Sequence, residues 1–219
     1  MKTEDLIRTL AADARSPVRR LPRPAVRVGL WLCFSVPWIA IVVALMGLRA
    51  DLTIKVEEPR WLLEQGAALM TAMTAAMAAF CAGVPGRPRW EHTVPLAPVA
   101  LWIGLLGAGC LTDWSLADRQ GLALHVDWAC VPGIVTVGLV PGIAMAIMLR
   151  RGAPLAPVLS VGLGGLAAAA LADFGLRLFH AQDASLMVLI GQVGTVAALT
   201  AFSAAFGRRL VRWRRVTAR

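Results

Sequence analysis

Four cysteines, three histidines and thirteen carboxylates are the side chains here with the chemistry of ligands, redox centres or acid–base pairs. Cys110 closes one apolar stretch and Cys130 opens the next. His125 and His180 lie in connecting segments, with Asp127 and Asp183 close by in sequence. Thiolate, imidazole and carboxylate together suit a soft or borderline cation. Two thiols on an oxidising face can instead pair as a disulfide. The chain has no Cys-x-x-Cys and no His-x-x-x-His spacing, so pattern alone leaves inert packing, redox chemistry and metal binding all open. Cys33 and Cys81 fall toward the opposite side and read as small apolar packing residues. His92 reads as a solvated flank. No nucleophile–base constellation and no phosphate-binding loop occurs, so neither an enzyme nor a cofactor is expected.

Few ionisable groups lie inside the apolar stretches. Glu64 and Asp173 sit within about two helical turns of a stretch end, where they are expected to reach headgroups or water. Gln192 falls near the middle of the last stretch and is expected to bond across to a neighbouring helix. A chain of buried carboxylates or arginines, which a proton-coupled transporter or channel needs, is not expected.

The first fourteen residues have a different character. Thr3 is a plausible N-cap, and Glu4 and Asp5 follow in the first turn, where the helix dipole favours anions. Leu6 and Leu10 are spaced i, i+4, with Ile7 and Ala11 beside them. The result is one amphipathic helix of about three turns, too short to be stable alone in water and therefore expected to dock on something. Three fates compete: lying on the lipid surface, docking on a cytoplasmic partner, or disorder. Glu4, Asp5 and Asp13 count against an anionic lipid surface. Pro17, Pro22 and Pro24 among arginines then form an extended basic linker.

The elements that position these groups follow from composition. Hydrophobic residues make up 58% of the 219 and charged residues only 16%, against about a quarter in a soluble domain. Lipid is the solvent this implies. A helix needs about 20 apolar residues to cross, and six stretches qualify: residues 28–48, 61–84, 93–111, 128–149, 154–177 and 184–206. The first lies too far along the chain to be an ordinary signal peptide. Division into a tail and linker (1–27), a transmembrane domain (28–206) and a basic tail (207–219) follows. The fold class is all-α, an integral membrane bundle of six transmembrane helices.

Charge sets the orientation. Of the 22 lysines and arginines, all but Arg49, Lys55, Arg60, Arg119 and Arg177 fall in the two tails and the second and fourth loops. That asymmetry places both termini in the cytoplasm and the odd loops outside. It also explains the net charge of +9 without direct nucleic-acid binding. Trp61, Trp114 and Trp128 then fall near the outer interface, Trp31, Trp90 and Trp213 near the inner one, with Trp38 and Trp102 as packing residues. Small-xxx-small pairs at Gly138/Gly142, Ser160/Gly164 and Ser203/Gly207 permit close helix approach.

The chain resembles the NrsF-type membrane anti-sigma factors. The resemblance rests on the opening Met-Lys-Thr-Glu-Asp-Leu-Ile with Leu10 and Asp13, and on Gly47-Leu48-Arg49 with Asp51-Leu52. Cys130, Leu149-Arg150-Arg151-Gly152-Ala153-Pro154 and the run from Gly207 to Trp213 also carry it. It implies a protein that holds an extracytoplasmic-function sigma factor at the bacterial inner membrane and releases it on a metal or oxidant stress at the envelope side. The partners implied are the sigma factor and the lipid bilayer, with no small-molecule substrate. The sigma-binding element would be the N-terminal helix, with Leu6, Ile7 and Leu10 as apolar face and Asp5 and Asp13 as polar contacts.

One position departs from the family pattern. The usual sensor has two outer-face cysteines, the second in a His-Cys pair before the sixth helix; here that pair reads His180-Ala181. Cys130 matches, and its partner is replaced. Three alternatives stay open: a Cys110–Cys130 disulfide, a thinner site of Cys130, His180 and Asp183, or sigma binding without thiol sensing. Outside the family reading, the competing class is a small multi-pass transporter or metal-handling membrane protein. A membrane thiol oxidoreductase is a third, and needs the two outer cysteines within bridging distance.

Overall fold

The computed structural model describes residues 3–13, 21–116, 130–152, 156–180 and 194–210. Among them all regular structure is helical: α1 (Thr3–Asp13), α2 (Pro24–Met46), α3 (Leu52–Lys55), α4 (Pro59–Cys81), a short 3-10 helix (Arg89–His92), α5 (Leu96–Leu116), α6 (Cys130–Arg151), α7 (Pro157–Leu176) and α8 (Gly194–Leu210). Proline opens α2, α4 and α7, where its missing amide costs no helical hydrogen bond. Gly47 ends α2 at φ +82°, a conformation only glycine adopts cheaply, and its amide bonds the Val43 carbonyl at 2.9 Å.

Each of the six expected stretches overlaps one of the longer helices. Three are long and apolar enough to cross a membrane by length and composition: Pro24–Met46, Pro132–Arg151 and Pro157–Leu176. Val196–Ala205 is a shorter apolar helix. Helix α4 is as long as α2 but carries Arg60, Glu64 and Gln65 in its first two turns.

The packing is inside-out relative to a soluble bundle. Along α6, Val135, Leu139, Ile143 and Ile147 form an exposed stripe at i, i+4 spacing, and Phe34, Ile41 and Leu45 are exposed on α2. The interior is built from small residues instead: Ala68, Ala72, Ala75, Ala76 and Ala79 on α4 and Ala167 to Ala172 on α7. Water penalises such an arrangement, whereas hydrocarbon does not distinguish an outward leucine from an inward one. These are the features of a membrane protein.

Helix α7 is the hub, packing on α4, α6 and α8. Its glycines set the distances. A Cβ at Gly165 would lie 2.7 Å from the Ser203 side chain on α8, and one at Gly164 would lie 2.9 Å from Met145 and Leu149 on α6. At Gly175 it would meet Ile39 of α2 at 2.7 Å and Val137 of α6 at 2.9 Å. Of the small-residue pairs read from sequence, Gly164 is confirmed as a close approach and a Cβ at Gly138 would lie 3.2 Å from that of Ala172, while one at Gly142 would meet nothing within 4 Å. Cys33 is exposed on α2 rather than packed, and Trp31 is fully buried rather than interfacial.

Substituting Gly165→Leu should push α8 off α7 and lower the unfolding free energy by about 1–3 kcal/mol, the usual cost of overpacking. Gly29→Ala, where an added Cβ meets nothing within 4 Å, should not lower it. Thermal unfolding of the purified chain in detergent distinguishes the two.

Candidate functional site

Helix α1 carries all five residues expected to bind a partner. Thr3, Glu4, Asp5, Ile7, Arg8 and Ala11 are exposed, and Ile7 keeps 60% of its surface accessible. The side chains of Leu6, Leu10 and Asp13 lie outside the described residues. Their spacing, 6, 10 and 13, keeps them on one side of the helix. Among the described residues α1 shares no packed interface with another helix. An exposed isoleucine on an unpacked three-turn helix is an apolar surface still to be covered.

The arm joins the bundle at α2, and three α2 side chains tie that helix to backbone carbonyls of α6. Arg27 Nη2 donates to Met148 at 2.6 Å, Trp31 Nε1 to Pro141 at 2.9 Å and Trp38 Nε1 to Thr136 at 3.1 Å. The two helices run antiparallel, so the start of α2 meets the end of α6. The Arg27 guanidinium also lies over the Phe80 ring of α4, 4.2 Å from its centroid. Sequence reasoning counted Arg27 only as a tail charge. The signal available was Gly152 directly after α6, which has no evident purpose until the arginine is seen against it.

The other end carries the backbone positions of Cys130, His180 and Cys110, three of the expected sensing residues. Cys130 is the first residue of α6, and the first turn of α6 packs on the last of α7, where a Cβ at Gly133 would meet Leu176 at 2.8 Å. His180 follows α7, its amide bonded to the Leu176 carbonyl at 2.9 Å. Helix α5 returns antiparallel to α4, which brings Cys110 to the same end. The side chains of Cys110 and Cys130, and Asp183 altogether, lie outside the described residues. Among the described residues no cluster of three His, Cys, Asp or Glu side chains is placed to hold a metal.

The same end holds a buried ion network that the sequence reading did not anticipate. Glu64 and Asp173, expected to reach headgroups or water, are 4% and 0% exposed. Arg177 Nη1 bonds Glu64 Oε2 at 2.7 Å, and Arg60 Nε bonds Glu64 Oε1 at 2.9 Å. Gln65 Nε2 donates to the Phe174 carbonyl at 3.3 Å. The physical reason is the register of α4 against α7. The two antiparallel helices overlap to their ends, so the first turns of one cover the last turns of the other. Just beyond, the Arg49 amide bonds the Leu178 carbonyl at 3.1 Å, and the Arg49 side chain pairs with Asp51 at 2.8 Å. The hydrogen bond from Arg49 holds the Asp51 carboxyl down at about 2. A depressed carboxylate loses its contribution only as pH falls through that value, so this clasp is indifferent to pH across the neutral range.

At the opposite end Cys81, buried as expected, accepts a hydrogen bond from Arg87 Nη2 at 3.2 Å, and Arg87 pairs with Glu91 at 2.8 Å.

An all-helical membrane protein with an uncovered amphipathic arm is the class these observations define. Residues 10–213 match the family described as negative regulator of sigma F, NrsF. The chain belongs to that family, and so to the negative regulators of sigma factors. The match takes in Leu10 and Asp13 and begins after Asp5, Leu6 and Ile7. No curated protein and no solved structure matches the chain.

Removing one member of a buried ion pair leaves the other charge uncompensated. Arg177→Ala should therefore lower the unfolding free energy by about 3 kcal/mol, and Arg177→Met combined with Glu64→Leu should recover most of that loss. Chemical unfolding in detergent reads both. No loss in Arg177→Ala would show the pair to be unimportant.

Proposed function

We propose that this chain is a membrane-bound anti-sigma factor with six transmembrane helices and both termini in the cytoplasm, resident in the bacterial inner membrane. Its partner is an extracytoplasmic-function sigma factor, held by the N-terminal arm. Residues 1–27 form the capture element and linker, 28–206 the transmembrane domain and 207–219 a basic tail. A metal or oxidant acting at the outer end, around Cys130, His180, Asp183 and Cys110, releases the sigma factor. The protein is a binding regulator rather than an enzyme, with no cofactor, no small-molecule substrate and no direct contact with nucleic acid.

The observation that carries this reading is α1 in a chain of this family. An exposed Ile7 on a helix without a packed neighbour is the counterpart of a groove on a partner. Lys and Arg concentrated beside it support a cytoplasmic location. The orientation places Cys130 and His180 on the envelope side, so a signal there must bias two packings of the bundle, of which one presents the arm correctly.

A second reading, a small transporter or metal-handling protein, draws on the buried Glu64–Arg177 pair beside Asp173. Those groups sit at one end of the bundle, whereas transport sites are built near the midplane.

Co-purification tests the first reading. The full chain and a form lacking residues 1–14 are each expressed in membranes with the sigma factor encoded nearest its gene. Capture by the full chain alone is expected. Leu6→Glu or Leu10→Glu should weaken capture by at least about 2 kcal/mol, as for a central contact residue, with membrane insertion unchanged. Capture by neither form brings the transporter reading forward. Cys130→Ser should blunt release by cadmium or peroxide; an unchanged response moves sensing elsewhere.

A further inference from the structure

Residues 14–23 join the capture helix to its root in the bundle. The root is the first turn of α2, where Pro24 fixes one backbone angle and Arg27 is the first side chain anchored in the bundle. Arg27 is 5% exposed. Its Nη2 reaches Met148 at 2.6 Å, among the last four carbonyls of α6, which have no amide partner within their own helix. The guanidinium charge sits at the negative end of that helix and lies flat on Phe80. Its third neighbour is Gly152, where a Cβ would come within 2.9 Å of Nη2 and 3.2 Å of Nη1. The glycine after Arg150 and Arg151 is the residue that leaves room for this head group.

Helix α6 has Cys130 at one end and this contact at the other. Between them Trp31 and Trp38 bond its backbone to α2. The bonds to Met148, Pro141 and Thr136 thus follow α6 from its cytoplasmic end toward its outer end.

We propose that Arg27 is the positioning residue of the arm: it clamps the arm's root to the carboxyl end of α6, so that the placement of α6 sets how the capture helix is presented. The inference rests on the anti-sigma reading and adds to it the part that links the two ends. Arg27 itself touches no sigma factor. It acts by populating the arm orientation that binds, and losing nine-tenths of that population raises the apparent Kd about tenfold.

The test uses the full chain in lipid nanodiscs, the sigma factor encoded beside its gene, and Arg27→Ala, Arg27→Lys, Gly152→Ala and the Arg27→Ala/Gly152→Ala double variant. Sigma affinity is measured on folded, monodisperse protein, with melting recorded alongside. Arg27→Ala and Gly152→Ala should each weaken capture about tenfold. Arg27→Lys should recover part of the loss. The double variant should be no weaker than Arg27→Ala, because the added methyl meets nothing once the guanidinium is gone; a general packing defect would instead accumulate. Should Arg27→Ala fail to fold, Gly152→Ala and Arg27→Lys carry the comparison. Undiminished capture by folded Gly152→Ala, or additive losses in the double variant, would overturn the inference while leaving the anti-sigma reading intact. Absence of capture by the unmodified chain overturns that reading, and this inference with it.

Discussion

Close approach along α7 is the constraint on which the rest of the structure depends. In hydrocarbon, burying leucine against leucine gains little over leaving it in lipid, so helices are held by dispersion and by hydrogen bonds. Both fall off steeply with distance. Gly162, Gly164, Gly165 and Gly175 let α8, α6 and α2 come within contact of the α7 backbone, and the alanines of α4 do the same from the remaining side. Once those distances are set, indole and guanidinium donors on α2 can reach the carbonyls of α6, and Arg177 can reach Glu64. A bundle spaced wider by one methyl group would lose these bonds together.

The polar contacts divide by end. At the end where α2 begins, a single arginine serves as cap for α6 and lid for Phe80, and the turn at Gly152 is shaped around it. At the other end Arg60 and Arg177 both pair with Glu64, and the Arg49 backbone stitches the loop after α2 to the turn after α7. Helix α6 spans the two. Its interior proline, Pro141, leaves the Val137 carbonyl without its helical amide, and Trp31 bonds the Pro141 carbonyl one turn further on.

Family membership gives the chain its class, a negative regulator of a sigma factor. In the proposed function the arm supplies the physical means. It is short, amphipathic and uncovered, which suits a helix that folds onto a partner and leaves it when its presentation changes. In the proposed function, capture belongs to residues 5 to 13 and sensing to the other end, where Ala181 stands in place of the second cysteine that the resemblance implies.

The sequence by itself determined what depends on composition and local period. Low charge and long apolar stretches gave the helical membrane class and located each long helix, and residues 3–13 showed their amphipathic face without reference to any other part of the chain. Gly164 and Gly138 were legible as close approaches because the i, i+4 rule is local. Tertiary structure alone decided which faces met. Glu64 and Asp173 looked able to reach water because their depth along a helix was read without knowing that α4 and α7 overlap to their ends and bury them. Arg27 read only as a tail charge for the same reason, since a side chain at a helix end faces lipid, water or a neighbour according to rotation about the axis. That rotation is set by glycines on other helices more than a hundred residues away, and no local pattern in the chain encodes it.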